Sequence, residues 1–406
     1  MISTRNCKQI MFCAVELLFF AGCNPPGSVK DNRAEGDKYV VAAYVWPSCH
    51  DEPVIRDVLW GEGIGEWEMI QKGVPRFEGH YQPRLPLWGY KMDNDPLAWE
   101  QKIDAATGHG VNTFIFDWYW YDGKPFLEEA INKGFLGAAN SDKMNFYLMW
   151  ANHDVPGNMW NHFRYQTDSL LWNGEVDWPN FRIIVNRVIN QYFKKSNYLK
   201  LNGQPVFSIY SIADLVQSFG NLEEAGKALE YFREEVKKEG FPGLHIQLVG
   251  KDAGGTPHLE IDTAINGVVK ALGAKSVTMY NMAGSYSRKE DYLLYGEAGV
   301  KLRGRWDSIL TVPYIPCVSV GWDTTPRFPG LGKTDVIHRN NTPESFGAYL
   351  LKAKEYVKNH PEQPKLIIIN AWNEWVEGSY LEPDMKWGFG YLEAVKMVMD
   401  GKYERY

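Results

Sequence analysis

One recurrence constrains this chain more than any other feature. Eight short runs rich in Val, Ile, Phe and Tyr are spread over residues 40–372, separated by polar stretches that suit helices. The runs are Val40–Trp46, Asn112–Trp120, Asn145–Asn152, Pro205–Tyr210, His245–Lys251, Ser276–Tyr280, Tyr314–Gly321 and Leu366–Trp372. They do not alternate strictly between apolar and polar, which is the pattern of strands covered on both faces, as in a parallel sheet. The sixth run has the weakest strand signal. Helix-like segments lie between them at Pro96–Thr107, Trp178–Phe193, Glu223–Glu239, Tyr286–Ala298 and Pro343–Asn359. Asp95-Pro96 and Thr342-Pro343 read as helix starts with proline at the first helical position. Eight strands alternating with helices predict an α/β fold, a (β/α)8 TIM barrel, as a single domain with elaborated βα loops. The competing architecture, an open doubly wound sheet, lacks its G-x-G-x-x-G turn. Gly61-Glu62-Gly63-Ile64-Gly65 is superficially similar but sits in an acidic, aromatic loop.

The chain ahead of the first run reads as an address. Arg5 and Lys8 precede an apolar run, Ile10 to Gly22, that ends at Cys23. The run is about half the ~20 residues needed to span a bilayer, and small residues just before a cysteine fit a bacterial lipoprotein signal. Glu16 is a costly charge inside it. Residues 1–22 are therefore expected to be a signal peptide, Cys23 the lipidated residue, 23–38 a flexible tether and 39–406 the catalytic domain. This places the protein in the cell envelope, periplasmic or at the cell surface, touching the membrane through its lipid anchor alone. Of five cysteines, only Cys49 and Cys317 then remain in the folded part, and they read as two buried thiols. The net charge of -7 argues against a nucleic-acid partner, which normally meets a basic face. No spacing points to a metal or a cofactor.

In such a barrel, active sites form at the carboxyl ends of the strands. Those ends carry Tyr44-Val45-Trp46, Asp117-Trp118-Tyr119, Trp150-Ala151-Asn152, Trp322-Asp323 and Asn373-Glu374-Trp375-Val376-Glu377-Gly378. Carboxylates and amides bind hydroxyls, while aromatic faces pack on the C–H faces of sugar rings, so this mixture suits a polysaccharide or glycan. Glycosidic cleavage commonly needs two carboxyl groups, one of them an acid for the leaving oxygen. Glu374 and Glu377 are the candidate pair, facing the mouth together if their segment turns once. Tyr44, Trp46, Asp117, Trp118, Tyr119, Trp150, Asn152, Trp322, Asp323 and Asn373 are expected around the sugar. Glu66, His80, Gln82 and Arg84 belong to a long loop after the first strand; they either touch substrate or tie that loop to the rim. His50 and His153 read as structural hydrogen-bonders.

The segments Gly61–Trp67, Gly79–Pro86, Phe116–Trp120, Trp150–Asn152 and Asn370–Asp384 occur in the order found in the WbsX-like family, which the chain resembles over about residues 39–400. That family is related to the endo-α-mannosidases of glycoside hydrolase family 99. The resemblance implies a (β/α)8 barrel and a retaining mechanism using the substrate's own 2-hydroxyl. By motif position it makes Glu374 the base on that hydroxyl and Glu377 the general acid/base. The chain departs from the family 99 element by carrying Val376 where a His stands. Ordinary double displacement, with Asp117 or Asp323 as partner, is the competing chemistry. A non-catalytic polysaccharide-binding lipoprotein and a glycosyltransferase, as the WbsX label suggests, are the competing functions. Against the transferase, the chain has neither a Gly-rich phosphate turn nor a clear Asp-x-Asp at a strand end.

Overall fold

The computed structural model describes residues 38–250, 264–284, 290–328 and 336–404. The signal segment, Cys23, the tether up to residue 37 and the end of the fifth run at Lys251 lie outside the described residues.

All eight runs form strands: β1 (Val40–Val45), β2 (Thr113–Tyr121), β3 (Asn145–Trp150), β4 (Gln204–Ile209), β5 (His245–Gly250), β6 (Ser276–Met279), β7 (Cys317–Ser319) and β8 (Leu366–Asn370). They pair in the order β6-β5-β4-β3-β2-β1-β8-β7, every pair parallel. The ring closes at one bridge, Val277 with Tyr314, where the Ile315 amide donates to the Val277 carbonyl at 2.8 Å. The fold is a (β/α)8 barrel.

Helices form the outer layer: α1 (Pro96–Gly108), α2 (Ala130–Phe135, a π turn), α3 (Trp178–Val188), α4 (Leu222–Lys238), α5 (Ala264–Leu272), α6 (Tyr292–Ile309), α7 (Pro343–Lys358) and α8 (Gly390–Met399). Local chemistry sets their starts. The Asp95, Asp177 and Asn221 side chains accept first-turn amides of α1, α3 and α4, from Leu97, Asn180 and Glu224, and Thr342 forms a capping box with Ser345 at α7. Of the expected helix at Tyr286–Ala298, residues 286–289 lie outside the described residues; the part described is capped by Asp291 and forms α6, from Tyr292 to Ile309, beyond the expected end.

Strand parity decides what each side chain can do, because successive residues point to opposite faces. On β2 all nine residues are buried, so hydropathy alone hides the parity. Phe114 and Phe116 pack on Trp99 of α1, with ring centroids 5.6 and 5.4 Å away. Asp117 and Tyr119 therefore point into the barrel mouth, and Trp118 points out to the helices.

Candidate active site

The last strand leads into a small hairpin. Asn373–Glu374 pairs antiparallel with Ser379–Tyr380, and Trp375–Glu377 forms one 3-10 turn between them. Such a turn has about three residues, so side chains three apart align. Glu374 and Glu377 thus reach the same pocket. Gly378 ends the turn at φ 65°, where a Cβ would sit 2.8 Å from both the Arg84 guanidinium and the Asp323 side chain. Only glycine fits there.

The pocket encloses about 120 Å³ at the carboxyl ends of the strands. Trp46, Tyr119, Trp160, Tyr210 and Tyr280 wall it, and Asp117, Glu374, Glu377 and Arg327 supply its charge. The aromatic wall holds itself upright. Trp160 meets Trp46 and Tyr119 edge-on at 5.0 and 5.6 Å, and lies parallel to Trp60 on its far side.

Arg327 is the electrostatic centre. Its Nη1 donates to Glu377 Oε1 at 2.7 Å. Its Nη2 lies 3.5 Å from Glu66 Oε1 and 3.6 Å from Glu374 Oε1. Glu66 in turn accepts from the Trp46 indole and from Ser48. Opposite Arg327, the Tyr280 hydroxyl lies 3.0 Å from both Asp117 Oδ2 and Glu374 Oε2. Burial pushes all four carboxyl groups up from their ordinary range. The charge of Glu377 adds to the rise at Glu374, and Arg327 opposes the rise at Glu374, Glu377 and Glu66. Such a site favours neutral or partly neutral carboxyls, the state a general acid needs.

Asp323 has a different task. Its Oδ2 accepts from His80 Nε2 at 2.9 Å, Gln82 Nε2 at 2.7 Å and Arg84 Nη2 at 3.0 Å, while Oδ1 accepts the Thr325 amide. Burial acts to raise its carboxyl, but the His80 hydrogen bond and the Arg84 charge hold it far below the usual range. Its backbone amide donates to the Glu377 carbonyl at 2.6 Å. The loop after β1 is thus clasped to the residue next to the acid pair. His80, Gln82 and Arg84 tie the loop to the rim, one of the two roles open to them in sequence. Asp323 is removed as a candidate partner in double displacement, because its oxygens are occupied.

The other expected sugar contacts divide. Trp46, Asp117 and Tyr119 line the pocket. Glu66 stands behind Trp46, and Tyr44 lies behind Tyr280 with ring centroids 4.7 Å apart. Trp118 and Trp150 are corrected: they face the helix layer, where the Trp118 indole donates to Glu128 at 2.9 Å and Trp150 packs on Phe181 of α3. Both amides also belong to the frame. Asn152 bonds the Ser211 backbone twice, at 2.7 and 2.8 Å, and Asn373 bonds the Trp46 backbone twice, at 2.9 and 2.8 Å. Trp322 is half-buried and lies outside the pocket lining. Val376 turns away from the pocket into an apolar cluster with Cys49, Trp67, Ile70, Trp375 and Tyr380.

Sequence reasoning missed Arg327, Tyr210, Tyr280 and Trp160 as pocket residues. Arg327 had a signal: buried carboxylates at one rim require a cation, and Arg327 lies four residues past Asp323 in the β7 loop.

Residues 41–395 match the family model described as Glycosyltransferase WbsX. The chain belongs to the WbsX family. Two relatives named uncharacterized protein WxcX, from two strains of Xanthomonas campestris pv. campestris, are each 26% identical over 362 residues. The match covers 88% of this WbsX-family chain and 49% of each relative, so the chain spans about half their length. Among solved structures, a family 99 endo-alpha-mannosidase from Bacteroides thetaiotaomicron superposes with a TM-score of 0.55 at 14% identity, covering 89% of this chain and 96% of that one. A glycoside hydrolase-like protein superposes with a TM-score of 0.54 at 13% identity, covering 96% and 98%. At these identities the likeness establishes the barrel fold shared by this WbsX-family chain.

Proposed function

We propose that this WbsX-family protein is an exported, lipid-anchored glycoside hydrolase that cleaves a polysaccharide or glycan with Glu374 and Glu377. One observation carries the reading. A buried glutamate and a half-buried one, three residues apart, meet one guanidinium in a pocket walled by indole and phenol rings. The rings would pack on sugar C–H faces, and the glutamates would serve as the acid and base of glycosidic cleavage. The raised carboxyl of Glu377 is the direction a leaving-group acid requires. Glu374 would take the proton of the sugar's 2-hydroxyl, giving a retaining, substrate-assisted reaction. The lipoprotein-type segment ending at Cys23 supports export to the cell envelope.

The test is release of reducing sugar by residues 24–406 from α-mannans and other microbial and plant polysaccharides, with Glu377→Gln as control. Cleavage that disappears in the control supports the reading. Retardation on a glycan affinity gel without cleavage would favour a binding protein. Transfer from a sugar nucleotide without hydrolysis would favour the glycosyltransferase that the family description names. For the anchor, Cys23→Ala should move the protein from the membrane fraction to the soluble one.

A further inference from the structure

The hydrogens around Tyr280 do not add up unless a carboxyl group supplies one. The Tyr280 oxygen lies 3.0 Å from Asp117 Oδ2 and 3.0 Å from Glu374 Oε2, yet a phenol carries one hydrogen. Two hydrogen bonds through that oxygen need a second proton, on one carboxyl or the other. The surroundings choose between them. Burial and the Glu377 charge raise Glu374 too, but Glu374 has the Arg327 guanidinium 3.6 Å from its other oxygen to oppose them, and Asp117 has no such cation among the described residues. Asp117 has Oδ1 buried with no hydrogen-bond partner among the described residues. An ionised carboxylate with a bare buried oxygen is far more costly than a neutral one.

We infer that Asp117 is a resident carboxylic acid that donates to Tyr280, so that the Tyr280 hydroxyl donates to an ionised Glu374. The relay is balanced: Asp117 keeps its proton and points it at the phenol oxygen, Tyr280 keeps its own and points it at Glu374 Oε2, and no proton crosses. Burial pushes the Asp117 carboxyl well above its ordinary range and the charge of Glu377 adds to the rise, in keeping with this. Asp117 is then a positioning residue that acts through Tyr280, and it cannot be the nucleophile of a double displacement. It keeps Glu374 charged and oriented in a pocket whose burial would otherwise neutralise it. The positioning role rests on the proposed hydrolase reading; the protonation state does not.

Infrared difference spectra of the purified protein at pH 7 test the protonation without any substrate. The wild type should show a carboxylic-acid C=O stretch that Asp117→Asn removes and Glu374→Gln leaves in place. In Tyr280→Phe the same band should move to higher frequency, because its acceptor is gone. Loss of carboxylate stretches in Asp117→Asn, or loss of the acid band in Glu374→Gln alone, would overturn the inference. So would an acid band unmoved in Tyr280→Phe. On an active glycan, Asp117→Ala should lower turnover about 100-fold, and Asp117→Asn, whose amide can donate to Tyr280, should recover to within about tenfold of wild type. Equal inactivation by both would overturn the positioning role even if the infrared result stood.

Discussion

Replacing Arg327 with Gln removes the cation that faces Glu66, Glu374 and Glu377. The contact with Glu377 at 2.7 Å represents about 6 kcal/mol of attraction at an effective dielectric near 20. Desolvation offsets part of this, and removing one partner of a buried pair typically costs about 3–5 kcal/mol. The glutamates can limit the loss by holding protons. Burial already holds their carboxyls above the ordinary range, so across the window this opens the folded chain binds more protons than the unfolded one, and stability falls as pH rises. Without Arg327 that window extends upward, and each additional retained proton steepens the fall by about 1.4 kcal/mol per pH unit. Urea unfolding at pH 5 and pH 8 reads this directly. Arg327→Gln should lie about 1 kcal/mol below wild type at pH 5 and about 4 kcal/mol below it at pH 8. Adding Glu377→Gln should recover most of the loss at pH 8. An equal deficit at both pH values, or no recovery in the double variant, would refute the account of Arg327 as the counter-charge.

Other outcomes follow from the same geometry. Glu374→Gln and Glu377→Gln should each lower turnover at least about 100-fold. For Glu374→Gln, unfolding free energy at pH 8 should stay equal or rise, because the like charge beside Glu377 has gone. Asp323→Asn should cost about 3 kcal/mol at neutral pH by urea unfolding. The gap should close only in strong acid, since a depressed carboxyl gives its stability above the unfolded value and loses it as pH falls. Trp150→Ala should lower unfolding free energy by about 3–5 kcal/mol with KM unchanged in the fraction still folded. Trp160→Ala should raise KM roughly tenfold, a loss of about 1.4 kcal/mol of contact with the sugar.

The barrel was legible because its strands are buried on both faces, so each reads as one unbroken apolar run. Even the weak sixth run forms β6, although its far edge meets the seventh run through a single bridge, at Tyr314 just ahead of β7. The unbroken runs had a cost at the site. In Phe116–Trp120 every residue is apolar or aromatic save Asp117, and nothing in that string shows that Asp117 and Tyr119 face one way and Trp118 the other. Reading outward from the lone carboxylate by twos would have separated them. The E-x-x-E spacing showed the pair, but Arg327 lies in a loop, where no periodicity marks it. The amides Asn152 and Asn373 have the right chemistry for sugar hydroxyls and are taken instead by the backbones of neighbouring strand ends. The first turn of helix α6 is set by the Asp291 side chain, which accepts the Leu293 and Leu294 amides, and not by the hydrophobic pattern.

The clasp at Asp323 makes the reacting end of the barrel a shared property of distant stretches of chain. His80, Gln82 and Arg84 converge on one carboxylate whose own amide holds the Glu377 carbonyl. A change in the first loop is therefore felt at the acid pair without touching it. Loops that shape the mouth of a barrel are usually free to diverge one at a time. Here the first loop and the seventh are obliged to diverge together, and a graft between family members that carried His80, Gln82 and Arg84 without Asp323 would move the glutamate it was meant to leave alone.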